Sequence, residues 1–135
     1  MYIPHLNKLS DEVAILEFMK RFSFATIVTS TNNIPVATHL PFVVTQNKEG
    51  IILQSHFAKA NNQWQQLENA APLVIFTEPH AYISPANYEK NLNVPTWNYI
   101  AVHCYGKASL ITEEEKVMEL LASTINEFEA GYKHQ

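Results

Sequence analysis

Hydrophobic and polar positions follow two different periods along the chain, and together they predict a mixed α+β domain. Apolar residues recur at helical spacing over residues 12–21, directly after Ser10, which is suited to cap the helix. A second, short helix is expected over residues 58–67. A third opens at the acidic run 113–115 and reaches about Phe128, with its carboxylates at the positive end of the helix dipole. These segments are expected to cover a sheet.

Six strands are expected from β-branched and aromatic runs bounded by turn residues. Pro35 and Pro41 cannot donate ladder hydrogen bonds, so the second strand must be bulged or lie at an edge. Six strands with helices at intervals predict a mainly β domain built as a small antiparallel barrel with helical covers. The expected strands cover residues Phe22–Ser30, Ile34–Val44, Ile51–His56, Leu73–Phe76, His80–Ser84 and Tyr99–Leu110.

Composition narrows the class of partner. The 135 residues carry 9 Lys and Arg against 13 Asp and Glu, a net charge of -4, which disfavours direct DNA binding because nucleic-acid proteins are usually basic. Length and a hydrophobic content of 47% suit one globular domain over residues 1–135. The first residues show no leader pattern, no apolar span occurs, and Cys104 is a lone cysteine. We therefore expect a cytoplasmic protein with no membrane partner, in which Cys104 packs within a strand.

The run of residues 94–106 is the strongest indication of a ligand site. Its proline-started loop carries Trp97, Asn98 and Tyr99 and passes directly into a strand. Aromatic faces beside polar groups suit a planar ligand with a polar edge. The same rings would also suit a subunit contact, where Trp and Tyr are enriched. Both interpretations stay open at this point.

Two further stretches are candidates for the same ligand. The proline-interrupted second strand holds Thr38, His39 and Leu40, whose backbone groups can face a heterocycle, although a plain sheet edge gives the same pattern. The second stretch is a strand end passing into a helix start, a junction that suits a phosphate, although a lone lysine there is often only solvated. Its candidate residues are Ser55, His56, Lys59 and Asn61.

Other chemistries fit less well. The six histidines include no pair at the spacing of a helical metal motif, so no metal site is expected. Asp11 is the sole aspartate and no nucleophile motif occurs, which disfavours a Ser/His/Asp hydrolase. Three glycines without a G-x-G-x-x-G pattern disfavour a dinucleotide fold. The stretch 79–85 reads as a turn between strands rather than a site.

Six ordered motifs resemble the PaiB family of FMN-binding negative transcriptional regulators. The resemblance implies a split β-barrel of the flavin-reductase and pyridoxamine-phosphate-oxidase type, usually a homodimer with FMN at the subunit interface. Similar members continue beyond the final helix, so the chain looks like a shortened member, and it has Asn62 where the family tends to have proline. The motifs are Met1–Pro4, Ser23–Thr26, Ala37–Pro41, His56–Asn61, Pro79–Pro85 and Val94–Tyr99.

The resemblance also implies roles for the candidate residues. It favours a phosphate site at Ser55, His56, Lys59 and Asn61, and it places the strand with Thr38–Leu40 along the edge of the flavin ring. Trp97 and Tyr99 would then close one wall of the pocket.

Two functional classes follow. One is a dimeric flavin-dependent repressor of the kind that controls protease synthesis and sporulation, acting through DNA or, given its acidic charge, a transcriptional partner. The other is an FMN-dependent oxidoreductase, similar to a flavin reductase or a pyridoxamine-phosphate oxidase, in which FMN carries the redox chemistry. No side chain is required as an acid or base for that chemistry. His39 or His80 would be the candidates if one were needed.

Overall fold

The computed structural model describes residues 1–89 and 93–132, and within them the chain forms two α-helices and eight strands. The helices are α1 (Glu12–Arg21) and α2 (Glu114–Glu129). The strands are β1 (Phe24–Thr31), β2 (Ile34–Pro41), β3 (Val43–Asn47), β4 (Gly50–Gln54), β5 (Leu73–Thr77), β6 (Ala81–Ile83), β7 (Thr96–Asn98) and β8 (Ala101–Tyr105). Three short 3₁₀ segments cover His5–Asn7, Asn62–Asn69 and Pro85–Asn87.

The first helix has the predicted bounds but a different cap. The Asp11 carboxylate accepts hydrogen bonds from the backbone N–H groups of Val13 at 3.0 Å and Ala14 at 3.2 Å. Ser10 therefore lies one residue too early to cap α1, and that prediction is wrong. On its inner face, α1 places Met19 fully within the core.

All strand pairs in the described residues are antiparallel, which confirms the α+β class. A four-stranded sheet has the order β2-β1-β5-β8, and two hairpins, β3-β4 and β6-β7, stand apart from it. Within the described residues the strands form no closed barrel. The fold therefore consists of antiparallel sheets with helices, without the predicted barrel closure.

The single strand predicted over Ile34–Val44 is two strands in the structure, β2 and β3. Pro41 ends β2, and the Phe42 N–H makes one last hydrogen bond to the Ser23 carbonyl at 2.8 Å before β3 turns away to pair with β4.

At the other edge of the sheet, β8 ends at Tyr105 because its partner β5 begins at Leu73, directly after Pro72. The predicted strand to Leu110 is therefore too long, and β7 occupies what was predicted as loop.

The four-stranded sheet has one covered face and one open face. The covered face carries the core, in which nine buried residues form one cluster. On the opposite side Phe24 and Tyr105 are each 68% exposed. The open face is defined by Phe24, Thr26, Val28, His39, Leu73, Ile75, His103 and Tyr105, which alternate with core residues along their strands. The core cluster consists of Met19, Ala25, Ile27, Leu40, Phe42, Val44, Leu67, Val74 and Phe76.

The hairpin predicted at Asn32 and Asn33 is confirmed. Both residues have positive φ angles, 53° and 62°, which a tight two-residue hairpin turn requires and asparagine tolerates. The predicted strand position of Cys104 is also confirmed, with its thiol on β8 at 4.0 Å from the Met19 sulfur. None of the described helices combines the length and apolarity needed to cross a lipid bilayer.

Candidate functional site

A buried amide fastens the 3₁₀ segment Asn62–Asn69 to the first two strands. Gln63 is only 2% exposed. Its Nε2 donates to the carbonyls of Val36 at 2.9 Å and Ile27 at 3.2 Å and to Thr29 Oγ1 at 3.2 Å. Its Oε1 accepts from Thr38 Oγ1. Both ends of the amide are thus satisfied inside the protein, as a buried polar group requires.

Two predicted site residues, Thr38 and Asn61, belong to this Gln63 network. Asn61 Nδ2 donates to Thr38 Oγ1 at 2.9 Å, and Asn61 Oδ1 accepts from the backbone N–H of Gln63 at 3.0 Å. Asn61 thereby caps a 3₁₀ helix that starts at Asn62, so the helix predicted from Ala58 is wrong in its start and in its type. The N–H of Gln63 is engaged by the cap instead of facing a ligand.

The remaining phosphate candidates lie on a segment that follows the edge of the sheet. Ser55 Oγ donates to the Pro41 carbonyl at 2.6 Å, and Asn61 reaches Thr38 three residues further back along β2. Residues 55–61, called here the β2-edge segment, therefore run beside β2. This course brings the backbone of His56 and Lys59 to the edge strand that carries His39 and Leu40; a shared ligand site at these residues stays a prediction.

Lys59 sits in a fixed turn with its side chain in solvent. The Asn61 N–H donates to the Ala58 carbonyl at 2.9 Å, and Trp64 Nε1 donates to the Lys59 carbonyl at 3.2 Å. Among the described residues, the one ion pair joins the Lys116 ammonium to the Glu113 carboxylate, and Lys59 takes no part in it. Backbone anchoring with a solvated ammonium suits the binding of an anion.

His39 is held on the open face by its cross-strand neighbour. Thr26 pairs with His39 in the sheet register, and Thr26 Oγ1 lies 2.8 Å from His39 Nδ1. The Phe24 ring stacks on the imidazole, with 6.4 Å between centroids and an interplanar angle of 27°. Phe24 was not predicted as a site residue, although its place two residues before Thr26 puts both on one face of β1.

The Trp97 run forms a hairpin of its own rather than the mouth of a long strand. Trp97 pairs with Tyr82 in the register, and their ring centroids are 5.4 Å apart. His80 meets the same indole at 5.3 Å. His80 and Tyr82 alternate along the strand, which is the signal that could have placed them beside Trp97. The stretch 79–85 thus contributes to the site instead of serving only as a turn.

A cleft of about 410 Å³ opens beside this hairpin. Trp97 remains 57% exposed and Tyr99 61% exposed, so the rings present free aromatic faces. Among the described residues, the cleft lining contains one carboxylate, Glu78, and no lysine or arginine. Its lining consists of Thr77, Glu78, His80, Trp97, Tyr99 and Ile100.

The sheet register places the β2-edge segment and the cleft at the same end of the molecule. Phe24 pairs with Pro41, and the Thr26–Ile75 pairing, carried two residues further, sets Phe24 opposite Thr77. Pro41 and Thr77 are thus separated by two strand spacings, about 10 Å. Phe24 occupies the strand between them and its side chain is exposed. The start of the β2-edge segment at Ser55 therefore lies at the same end of the sheet as the cleft.

Two side chains on β8 have shifted acidities. Burial lowers the pKa of His103, with a smaller lowering from the positive amino terminus, and the Nδ1 of this ring is buried without a hydrogen-bond partner in the described residues. Burial raises the pKa of the Cys104 thiol. Neither residue is among the described residues that line the cleft, and both shifts are caused mainly by burial.

The class of protein follows from comparison with known families. A family described as "Putative FMN-binding domain" matches residues 1–135, and the chain belongs to this family. Membership of this family supports FMN as the cofactor.

Named relatives extend this assignment. The chain is 44% identical over 121 residues to the "Protease synthase and sporulation protein PAI 2" of Bacillus subtilis, covering 89% of this chain and 58% of that protein. It is 33% identical over 99 residues to an uncharacterized protein of Saccharomyces cerevisiae, covering 69% of this chain and 59% of that protein. The chain thus spans well under two thirds of the length of either relative.

The residues present fit FMN. An unpaired ammonium at Lys59 supplies a partner for a phosphate, and the exposed rings of Phe24 and Trp97 supply faces for a planar ring system. His39 adds an oriented polar group between them. These are the three kinds of group that a flavin mononucleotide requires.

Proposed function

We propose that this domain binds FMN at the end of the sheet between the β2-edge segment and the cleft, as one subunit of a homodimeric transcriptional regulator. The observation that carries the proposal is the sheet register, in which Phe24 pairs with Pro41 on one side, while the β1-β5 pairing, continued by two residues, leads to Thr77 on the other. It sets a cationic segment and an aromatic cleft on either side of an exposed ring. Family membership supplies the identity of the ligand.

The phosphate of FMN lies at the β2-edge segment in this proposal. Lys59 contributes the charge, and His56 and Ser55 are the neighbouring polar side chains. Asn61 and Thr38 act indirectly, because their mutual hydrogen bond holds the turn that presents Lys59 to the phosphate. Glu78 in the cleft would repel a phosphate, so the charges of the two regions give the ligand one direction.

The flavin ring lies across Phe24 toward Trp97. Phe24, Trp97 and Tyr99 present exposed apolar faces, and His39 is stacked on Phe24 with Leu40 buried behind it. When bound, FMN supplies hydride or electron chemistry. The chain's own residues bind and orient the ring and exclude water from one side of it.

The homodimer and the split-barrel fold belong to the same proposal. The open face exposes two large aromatic side chains, Phe24 and Tyr105. His103 on the same face has a buried Nδ1 with no hydrogen-bond partner among the described residues. A second copy packed on this face would cover these rings and complete the ligand site from both subunits, as in the split-barrel arrangement. Exposed aromatic patches of this kind commonly mark association surfaces.

The regulatory role rests on similarity to a sporulation protein. With a net charge of -4, the domain is poorly suited to hold a DNA backbone directly. We therefore assign it the sensing part of a regulator, which changes its contacts to a transcriptional partner when FMN is bound or reduced.

Flavin titration tests the binding step. FMN fluorescence should be quenched on addition of the protein, and Lys59→Ala should weaken FMN binding about tenfold through loss of a charge-assisted contact. Riboflavin, which lacks the phosphate, should bind parent and variant equally. Lys48→Ala, an exposed lysine in the β3-β4 turn, serves as the matched control and should bind like the parent.

Two outcomes would overturn parts of the proposal. Equal FMN affinity in Lys59→Ala and the parent would remove the phosphate assignment. Steady NAD(P)H consumption by the FMN-loaded protein in air would favour an oxidoreductase over a regulator. Sedimentation at increasing concentration, with Tyr105→Lys compared with the parent, tests whether the open face forms the dimer.

A further inference from the structure

We propose that Thr26 is a positioning residue that fixes the tautomer of His39, so that His39 presents its Nε2–H as a hydrogen-bond donor to the ligand on the open face. The proposal rests on the proposed FMN site and extends it to a residue outside the predicted set. Its basis is the 2.8 Å contact between Thr26 Oγ1 and His39 Nδ1.

The sheet fixes this contact. Thr26 and His39 are direct partners in the β1-β2 register, so their side chains rise side by side from adjacent strands. Threonine is β-branched and has few rotamers in a strand, which limits where its hydroxyl can point. The Phe24 ring stacked on the imidazole restricts the second member of the pair. Both partners are therefore oriented before any ligand arrives.

In this proposal the Thr26 hydroxyl donates and His39 Nδ1 accepts, because the other side chains beside Thr26 offer no acceptor. Its neighbours on the open face are Phe24 and Val28 along the strand and Ile75 across it, and all three side chains are apolar. The hydroxyl hydrogen finds its acceptor at His39 Nδ1. A neutral imidazole carries one N–H, so accepting at Nδ1 places the ring proton on Nε2.

The donor matters for the choice of ligand. Nδ1 is occupied by Thr26, so Nε2 is the ring nitrogen left for a ligand, and His39 is exposed. The polar edge of a flavin ring carries carbonyl oxygens and ring nitrogens that accept hydrogen bonds, and such bonds tune its electronics. A fixed Nε2–H favours ligands that present an acceptor and disfavours those that present a donor at that point.

Imidazole ¹⁵N NMR on the ligand-free protein tests the positioning step directly. His39 signals are identified by their loss in His39→Gln. In the parent and in Thr26→Ser, which keeps the hydroxyl, we expect a bare Nδ1 and a protonated Nε2. Thr26→Val, which removes the hydroxyl and suits a strand, should give a mixture of both tautomers. A protonated Nδ1 in the parent, or an unchanged tautomer in Thr26→Val, would overturn the assignment.

FMN affinity then tests the donor role. Thr26→Val should weaken FMN binding about threefold to tenfold, the usual range for one oriented hydrogen bond, and should shift the bound flavin absorbance. Thr26→Ser should bind within about twofold of the parent. A changed tautomer with unchanged affinity would overturn the donor role alone. If the parent binds no FMN, the proposed function and the donor role both fail, while the NMR result still decides whether Thr26 fixes His39.

Discussion

Two regions of the molecule, the Gln63 network and the β6-β7 hairpin, use their side chains in opposite ways. In the first, Thr38, Asn61 and Gln63 bond to one another and to strand carbonyls. In the second, Trp97 and Tyr99 are more than half exposed. The difference indicates that polar residues beside a ligand site can be consumed in holding the backbone, while the rings opposite remain available.

The sharpest test of this contrast is removal of the central amide. Gln63→Ala deletes the donor to Val36 and Ile27 and leaves buried strand carbonyls without that partner. We expect the free energy of unfolding to fall by about 2–4 kcal/mol, the range for breaking a buried hydrogen-bond network. Urea unfolding followed by far-UV circular dichroism measures it. A loss below about 1 kcal/mol would mean that water replaces the amide readily.

A matched pair of threonines compares the two regions directly. Thr38→Val removes a hydroxyl that bonds to both Gln63 and Asn61 and should cost about 1–2 kcal/mol. Thr96→Val makes the same change on exposed β7, where we expect a change within about 0.5 kcal/mol of zero. Thermal and urea unfolding of both variants check the difference. Equal losses would show that the network adds no stability beyond its packing.

Trp97→Phe tests the opposite region, where binding rather than stability should change. The indole packs edge-on against His80 and Tyr82 but is 57% exposed, so unfolding should change by less than about 1 kcal/mol. FMN affinity should fall about threefold, because phenylalanine offers a smaller apolar face. Flavin fluorescence titration measures the affinity. Full affinity in this variant would assign Trp97 to a subunit contact instead.

The smallest expected effect concerns the open face between the two regions. Burial lowers the pKa of His103 in the folded protein. The unfolded chain therefore binds the proton first, so this stability is present above the unfolded value near 6.5 and is lost as pH falls. The free energy of unfolding should drop from pH 7.5 to pH 5, and the drop should be smaller in His103→Phe. Identical pH profiles would mean that the ring is solvated.

Local signals predicted much of this architecture. The Asn32-Asn33 turn, the bounds of α1 and the edge position of the proline-bearing strand all follow from short-range chemistry and are confirmed. The cap of α1 shifted from Ser10 to Asp11 because neighbouring polar residues compete for the same role. Chain pattern alone cannot choose between them.

Predictions that depended on distant partners were less accurate. The final strand was drawn to Leu110 because its residues suit a strand, but Pro72 ends the partner that it needs. Similarly, Thr38 and Asn61 were predicted to bind a ligand, and the structure joins them in a hydrogen-bond network with Gln63, a residue that looks like an ordinary surface glutamine in the sequence. Their contact with a ligand stays a prediction. Phe24 was missed, and His80 was named only as a candidate acid or base, because only the register reveals their neighbours.

The edge position of β2 also limits how copies of this protein can aggregate. Pro35 and Pro41, both on the edge strand β2, offer no N–H to an incoming strand. A foreign strand arriving at this border would find few groups to pair with, which is how natural sheets avoid growing into fibrils. Strand addition is thereby disfavoured beside the residues that are exposed for a ligand. The proposed site can therefore stay exposed to solvent without promoting aggregation.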